Sequence, residues 1–247
     1  MNTARDNLLA AALLLAVILL WEGFVRWRAI PIYILPAPGK ILATLAQHLG
    51  MYLQAAALTL FESLAGLVLG AVFGFGVAAL LGLQPRLERG VMTLAILLKS
   101  TPMVAIAPLL TIWLGFGIAP KIIITALLTF FPVLVNALSG FNALPPALLE
   151  TFHIWNANRR EIFWHARLPT ALPYLFAALR VSAPLSLIGA VVAEWTGASG
   201  GLGRVMWLAY TNLNLPFLFA AVFLLAALGI GLYQLVNWLE HRLIFWV

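Results

Sequence analysis

The chain has 247 residues, of which 64% are hydrophobic and only 9% are charged. An ordinary soluble domain carries about 25% charged residues, so this composition excludes one and indicates an integral membrane protein. The net charge of +6 arises from basic residues in short segments between apolar stretches, and we expect no nucleic-acid binding. The absence of cysteine excludes disulfides, thiolate catalysis and cysteine-ligated metals.

Six apolar stretches are long enough to cross the hydrocarbon core, which requires a helix of about 20 residues. They lie near 8–27, 57–83, 91–113, 120–140, 174–196 and 216–238. We therefore predict an all-α polytopic membrane protein with one transmembrane domain over 1–247 and two short cytoplasmic helices within 141–173. No small-x-small cleavage site follows the first apolar run before Trp21, so this stretch is interpreted as an uncleaved span.

The basic residues favour a cytoplasmic N-terminus, because cytoplasmic loops carry an excess of Lys and Arg. In this topology seven basic residues lie inside, namely Arg5, Arg86, Arg89, Arg159, Arg160, Arg167 and Arg242. Five lie outside, namely Arg26, Arg28, Lys40, Lys121 and Arg204. The polar segment 141–173 is then predicted to be cytoplasmic.

Proline and glycine shape the first half of the chain. A continuous helix between the first two spans is forbidden by Pro31, Pro36, Pro38 and Gly39, and we expect a short amphipathic helix to follow along the outer interface. The second span repeats small residues every four positions, at Gly66, Gly70, Gly74, Ala78 and Gly82. A helix side without bulk allows close approach of another helix, which we favour over a pore lining.

The third span, KSTPMVAIAPLLTIWLGFG, contains Pro102 and Pro108, each of which removes a backbone hydrogen bond. Carbonyls freed within a membrane are tolerated where they face protein or a water-filled cavity. This span is therefore a candidate for lining a passage. A simple kink stabilised by Ser100 and Thr101 is an equal alternative.

The polar stretch LLETFHIWNANRREIFWHARLP at 148–169 interrupts the apolar pattern. A first helix would end at Asn156, since Asn adopts the left-handed conformation readily. Asn158 fits the N-cap of a second helix, Glu161 completes a capping box, and Pro169 ends that helix. Aromatic residues beside Arg are typical of protein interfaces, although Trp is also common among lipid headgroups. The residues presented in this way are Phe152, Trp155, Phe163 and Trp164 beside Arg159, Arg160 and Arg167.

The pattern formed by Glu150, Asn156, Leu168 and Pro169 resembles the EAA loop of binding-protein-dependent ABC transporter permeases. That loop has Glu-Ala-Ala, then Gly and later a Leu-Pro pair, whereas this chain has Thr-Phe for the two alanines and Asn156 for the glycine. The stretches STPMVAIAPLLTIWLGFGIAPKIIITALLTFFPVLVN and GAVVAEWTGASGGLG extend the resemblance over nearly the whole chain. They are similar to the branch that imports nitrate, taurine and other sulfonates, bicarbonate, or thiamine-related pyrimidines.

The resemblance implies a permease subunit in a bacterial inner membrane, with no cofactor and no catalysis of its own. It implies that the permease is surrounded by membrane lipid and has three protein partners. These are a cytoplasmic ATP-binding cassette ATPase, a periplasmic or lipoprotein substrate-binding protein, and a second permease copy in a homodimer. The solute would be of the nitrate, sulfonate or taurine, or pyrimidine type. The implied ATPase-coupling residues are Glu150, Phe152, Trp155, Asn156, Asn158, Arg159, Arg160, Glu161, Leu168 and Pro169.

A serine hydrolase is a poor alternative. Residues 197–201 spell GASGG, which matches G-x-S-x-G and the serine motif of rhomboid intramembrane proteases. The nucleophile would need an imidazole base within about 3 Å, but His241 lies about 30 Å away along the sixth span. We expect these glycines to form the turn after the fifth span.

An ion-coupled secondary transporter or channel is the main alternative, and it would need ionisable groups at mid-membrane. Glu62, Lys99, Arg180 and Glu194 are instead expected near span ends, where side chains can reach the interface. Glu194 is a candidate for the outer gate, although a structural hydrogen bond is the favoured alternative. The candidate pathway residues are Ser100, Thr101, Pro102, Pro108 and Glu194.

Overall fold

The computed structural model describes the backbone of residues 3–245 and, in that range, all side chains except those of residues 3–7 and 10. Every regular element in this part of the chain is a helix. In the first half these are α1 (Thr3–Trp27), α2 (Pro38–Gln47), α3 (Leu49–Leu83), α4 (Glu88–Ser100), α5 (Met103–Leu114) and α6 (Ala119–Asn142). In the second half they are α7 (Pro146–Ile154), α8 (Arg159–Ile162), α9 (Leu168–Trp195), α10 (Leu202–Thr211) and α11 (Leu215–Leu243).

Four of the six predicted spans correspond to long apolar helices. Four helical segments of the described chain are long and apolar enough to cross a membrane, namely Leu49–Leu83, Ala119–Asn142, Arg159–Trp195 and Leu215–Leu243. The segments Pro85–Ser100 and Met103–Leu114 count as a fifth candidate only if the two together form one span with a 91° bend. The first predicted stretch, 8–27, lies in α1. The prediction of an all-helical chain with several membrane spans is confirmed.

The small-residue side of α3 is where α6 packs. A Cβ atom on Gly66 or Gly70 would collide with the side chains of Thr125 and Thr129. A Cβ on Gly82 would lie 3.3 Å from the Cβ of Phe141. The expected close helix contact is therefore present, and α9 packs against the same α3–α6 pair.

The third predicted span is broken at Thr101. Thr101 (φ −78°, ψ 127°) and Pro102 (φ −62°, ψ 111°) are both extended, because a proline forces the preceding residue out of the helical region. Pro108 lies inside α5 without ending it. A single helix over 91–113 is therefore a wrong prediction, although Pro102 marks the position of the break.

Of the two short helices outside the insert, α2 and α10, the sequence predicts only the first. The helix α2 begins at Pro38, as the preceding prolines predict. The sequence does not predict the helix α10, because its 10 residues are too few for an apolar span. The predicted glycine turn between α9 and α10 is present, with φ of +119° at Gly197 and +99° at Gly201.

Candidate docking insert and buried polar core

The first helix of the polar insert, α7, ends as the sequence predicts. Asn156 has φ +56°, in the left-handed region that Asn tolerates better than most residues. Its N–H donates to the His153 carbonyl at 2.9 Å, and the Ala157 N–H donates to the Phe152 carbonyl at 2.9 Å. These two bonds form a Schellman motif and satisfy carbonyls that a helix end otherwise leaves unpaired.

The second helix of the insert begins with a complete capping box. The Asn158 side chain accepts from the N–H groups of Arg160 and Glu161, both at 3.0 Å. The Glu161 carboxylate in turn accepts from the Asn158 N–H at 2.7 Å. The chain between α7 and α8 is therefore held by paired polar groups on both sides of the turn.

The second helix does not end at Pro169, contrary to the prediction. A wide π-type turn over 163–167 joins α8 to α9, and the helix continues from Arg159 to Trp195. Pro169 occupies the first turn of α9, where the wider spacing removes the need for its missing N–H. Leu168 and Pro169 thus lie in a continuous connection between the insert and a membrane span.

Only some of the aromatic and basic side chains of the insert are exposed, although the sequence predicts that all of them would be. Trp155 is 71% exposed, and Phe152 packs edge-on against it at 5.9 Å between ring centroids. Phe163, expected on the surface, stacks inward on Phe141 at 5.6 Å. Arg167 also points inward and donates to the Gly82 carbonyl of α3. The residues that stay exposed include Glu150, Arg159, Arg160, Glu161 and Trp164.

A cleft separates the insert from the adjacent end of α3. Its volume is about 290 Å³, and its walls include Pro85, Leu149, His153 and Arg159. Both apolar and basic groups line it, which suits contact with a protein surface.

A buried polar core lies toward the opposite end of the bundle. The Glu62 carboxylate and Lys121 Nζ form an ion pair of 2.9 Å between α3 and α6, and both side chains are buried. The expectation that the Glu62 side chain reaches the interface is wrong, because this side chain is fully buried between α3 and α6. The charge is instead compensated within the bundle.

Glu194 is also fully buried, so the expectation that it reaches the interface is wrong too. Its carboxylate accepts from the Thr59 hydroxyl at 2.7 Å and from the Gly203 N–H at 2.5 Å. The Thr59 oxygen accepts from the Leu202 N–H at 2.8 Å. The favoured alternative, a structural hydrogen bond, is therefore present, and it connects α3, α9 and the start of α10.

The two remaining ionisable candidates, Lys99 and Arg180, lie outside the buried network of Glu62 and Glu194. Lys99, at the end of α4, is exposed and lies 4.6 Å above the Phe131 ring. Arg180 in α9 reaches Glu240 of α11 at 3.3 Å. Both therefore have a partner on a neighbouring helix.

The pathway candidates fall into two groups. Ser100, Thr101, Pro102 and Pro108 are exposed along the bent element formed by α4 and α5, and the Thr101 hydroxyl donates to the Leu97 carbonyl at 2.9 Å. Glu194 is separate from them in the buried network. The sequence did not predict that Thr59, Lys121 and Gly203 are the partners of Glu62 and Glu194, because no local pattern links residues that meet only through tertiary packing.

The family of this all-helical bundle with a polar two-helix insert follows from comparison with known proteins. Residues 66–245 match the family described as binding-protein-dependent transport system inner membrane component. The chain belongs to this family. It is an inner-membrane permease of the ABC transporter class.

Individual relatives agree with the assignment of this permease. A probable ABC transporter permease protein of Haemophilus influenzae is 34% identical over 98% of the chain and 99% of its own length. The formylaminopyrimidine transport permease protein ThiX of Halalkalibacterium halodurans is 34% identical, over 94% of the chain and 93% of its own. The MetNI methionine ABC transporter contains a chain of similar fold, with TM-score 0.68, 19% identity, and coverage of 80% of this permease and 96% of that chain.

Proposed function

We propose that this permease, paired with a second copy of itself, forms the pathway of an ABC importer. A separate ATPase docks on the insert formed by α7 and α8, and a substrate-binding protein delivers the solute at the opposite face. The observation that carries this proposal is the exposed, doubly capped insert on an otherwise apolar bundle. The permease itself breaks no bond.

The insert is suited to hold a partner in a fixed orientation. The Schellman motif at Asn156 and the capping box at Asn158 fix the turn, so docking would order few groups and lose little conformational entropy. Trp155 supplies a large exposed aromatic surface, and Arg159 and Arg160 supply charge beside it. Trp and Arg are the residue types that most often dominate binding energy at interfaces.

The continuous helix from Arg159 to Trp195 supports a direct mechanical connection between the ATPase and the pathway. Movement of the docked insert would be transmitted along α9 without an intervening loop. Inverting a two-state equilibrium from 1:99 to 99:1 requires about 5.5 kcal/mol of differential binding, which ATP-driven association of two partner subunits can supply.

The bent span supports pairing with a second copy. Leu94 and Leu97 of α4 and Ile112 and Trp113 of α5 are 61–73% exposed, although they belong to an element that cannot cross the membrane as a straight helix. A two-fold pair of permeases would cover these apolar surfaces and surround a pathway with the exposed residues at the bend.

The solute proposed for this importer is a small nitrogen heterocycle of the pyrimidine type. The support is the relative named for formylaminopyrimidine transport, which aligns with almost the full chain. Uptake of a radiolabelled pyrimidine by cells that carry the complete transporter should be blocked by excess unlabelled pyrimidine and unaffected by taurine or nitrate. Competition by taurine or nitrate alone would contradict the pyrimidine assignment.

The docking role can be tested by co-purification of the ATPase with variant permeases. Trp155→Asp and Arg160→Glu should reduce the recovered ATPase at least ten-fold, because each removes an interface group without disturbing the core. Trp27→Asp provides the matched control, since Trp27 is 79% exposed but lies in α1, outside the insert. Unchanged recovery with both insert variants would contradict docking at this site.

A further inference from the structure

The turn that joins α9 to α10 at 196–201 supports the end of α5. The Thr196 and Thr111 hydroxyl oxygens are 3.3 Å apart, which places the last residues of α9 beside α5. A Cβ atom on Gly197 would lie 2.8 Å from the Phe116 ring, so this ring rests on the turn backbone. Ala198 is buried at 5% exposure. We call residues 196–198 the α5 seat.

The position of the α5 seat is fixed from the other side by Glu194. Its two carboxylate oxygens accept from Thr59 of α3 and from Gly203 of α10. There is no free space around them, because a Cβ atom on Gly203 would lie 2.7 Å from a Glu194 oxygen. The seat is therefore held between two elements that Glu194 connects.

A glutamine at position 194 would keep the network paired. Its amide oxygen can accept from the Gly203 N–H and its NH₂ group can donate to the Thr59 oxygen, because the Thr59 hydroxyl has a second acceptor in the Ala55 carbonyl at 3.1 Å. The substitution Glu194→Leu, in contrast, would leave the Gly203 N–H without its acceptor. A buried donor without an acceptor is strongly unfavourable, so the turn would move to satisfy it.

We propose that Glu194 is a positioning residue that fixes the α5 seat, against which the end of α5 closes the pathway on the face opposite the insert. This inference rests on the proposed function, in which the bent span of α4 and α5 lines that pathway. Glu194 need not touch the solute. Its effect is transmitted through the turn to Thr111 and Phe116.

The chain contains no cysteine, which allows two adjacent reporter positions to be compared. Ala198→Cys places a thiol at the buried position of the seat, and Ser199→Cys places one at an exposed position of the same turn. The complete transporter in proteoliposomes is treated with a membrane-impermeant maleimide. We expect Cys at 198 to react at least ten-fold more slowly than Cys at 199, and Glu194→Leu to abolish most of that difference.

Conservative variants separate positioning from general loss of structure. Glu194→Gln keeps the length of the side chain and an acceptor oxygen for the Gly203 N–H, and it should retain at least half of the protection at position 198. Thr59→Val removes the hydroxyl that donates to Glu194 and accepts from the Leu202 N–H, and it should expose position 198 as Glu194→Leu does, whereas Thr59→Ser should not. If Glu194→Leu does not yield the complex, the Thr59 pair provides the same test.

The proposal is contradicted if position 198 stays protected in Glu194→Leu or Thr59→Val, or if the labelling of positions 198 and 199 changes by the same factor. The ATPase recovered with each variant is measured in parallel. Loss of the α5 seat should leave that recovery unchanged. A docking insert that fails to recover ATPase in the parent protein would contradict the proposed function while the labelling comparison still reports on Glu194.

Discussion

At the scale of single residues, Asn156 provides the sharpest test of the insert. Its φ of +56° is unfavourable for a β-branched side chain, and forcing one into the left-handed region costs about 1–2 kcal/mol. Asn156→Val should therefore lower both ATPase recovery and uptake several-fold, whereas Asn156→Gly should retain both. Equal behaviour of the two variants in uptake assays would show that this turn does not matter for transport.

The Glu62–Lys121 ion pair provides a second test at this scale. Removing one partner of a buried pair leaves an uncompensated charge, which destabilises by about 3–5 kcal/mol. Glu62→Gln or Lys121→Met alone should lower the thermal unfolding temperature of the purified protein. The double variant should recover much of the loss, and a double-mutant cycle measures the coupling. Additive losses would contradict the interpretation that the pair compensates itself.

These residues also show what local sequence can and cannot predict. Asn156 and Asn158 were predicted correctly because their conformations depend on neighbours within four residues, which the sequence displays directly. The burial of Glu62 and Lys121 and the partners of Glu194 were not predicted, since they depend on helices that are distant in sequence. Phe163 and Arg167 point inward for the same reason: their partners, Phe141 and Gly82, belong to other helices.

At the scale of elements, we expect α5 to move relative to α9 during transport, while the closely packed α3 and α6 stay together. The double variant Thr111→Cys and Thr196→Cys would join α5 to α9 where the hydroxyl oxygens are 3.3 Å apart. Oxidation should stop uptake, and a reductant should restore it. Uptake that continues across a verified disulfide would contradict movement of α5.

A second cross-link tests whether α3 and α6 stay together during transport. Gly82→Cys and Phe141→Cys would join α3 to α6, where the corresponding Cβ atoms would be 3.3 Å apart, close to the separation in a disulfide. Oxidised and reduced samples of this variant should transport at the same rate. Inhibition on oxidation that a reductant reverses would show that α3 and α6 separate during transport.

Proline limits prediction at this scale. Pro102 ends a helix, but Pro108, Pro132, Pro173 and Pro184 lie inside helices. A missing N–H is tolerated where neighbouring helices or a wide turn satisfy the freed carbonyl, and that depends on packing. The sequence identified the prolines that could break a span but not the one that does.

At the scale of the whole molecule, the helical class, most of the apolar spans and the family could be predicted, because they follow from composition and motif spacing. The short helix α10 and the buried network around Glu194 could not, because they are set by contacts between α3, α9 and α10. That network places ionisable groups deep in the bundle, which an ion-coupled transporter would also need. The decisive question is therefore whether transport needs the ATPase.

The most direct test measures solute accumulation in proteoliposomes that contain the permease with a binding protein and labelled pyrimidine. With the ATPase and ATP present, we predict accumulation above the external concentration. Omitting the ATPase, or combining it with the Trp155→Asp permease, should reduce accumulation to the level of empty liposomes. Accumulation by the permease alone, driven by a proton or sodium gradient, would contradict the account.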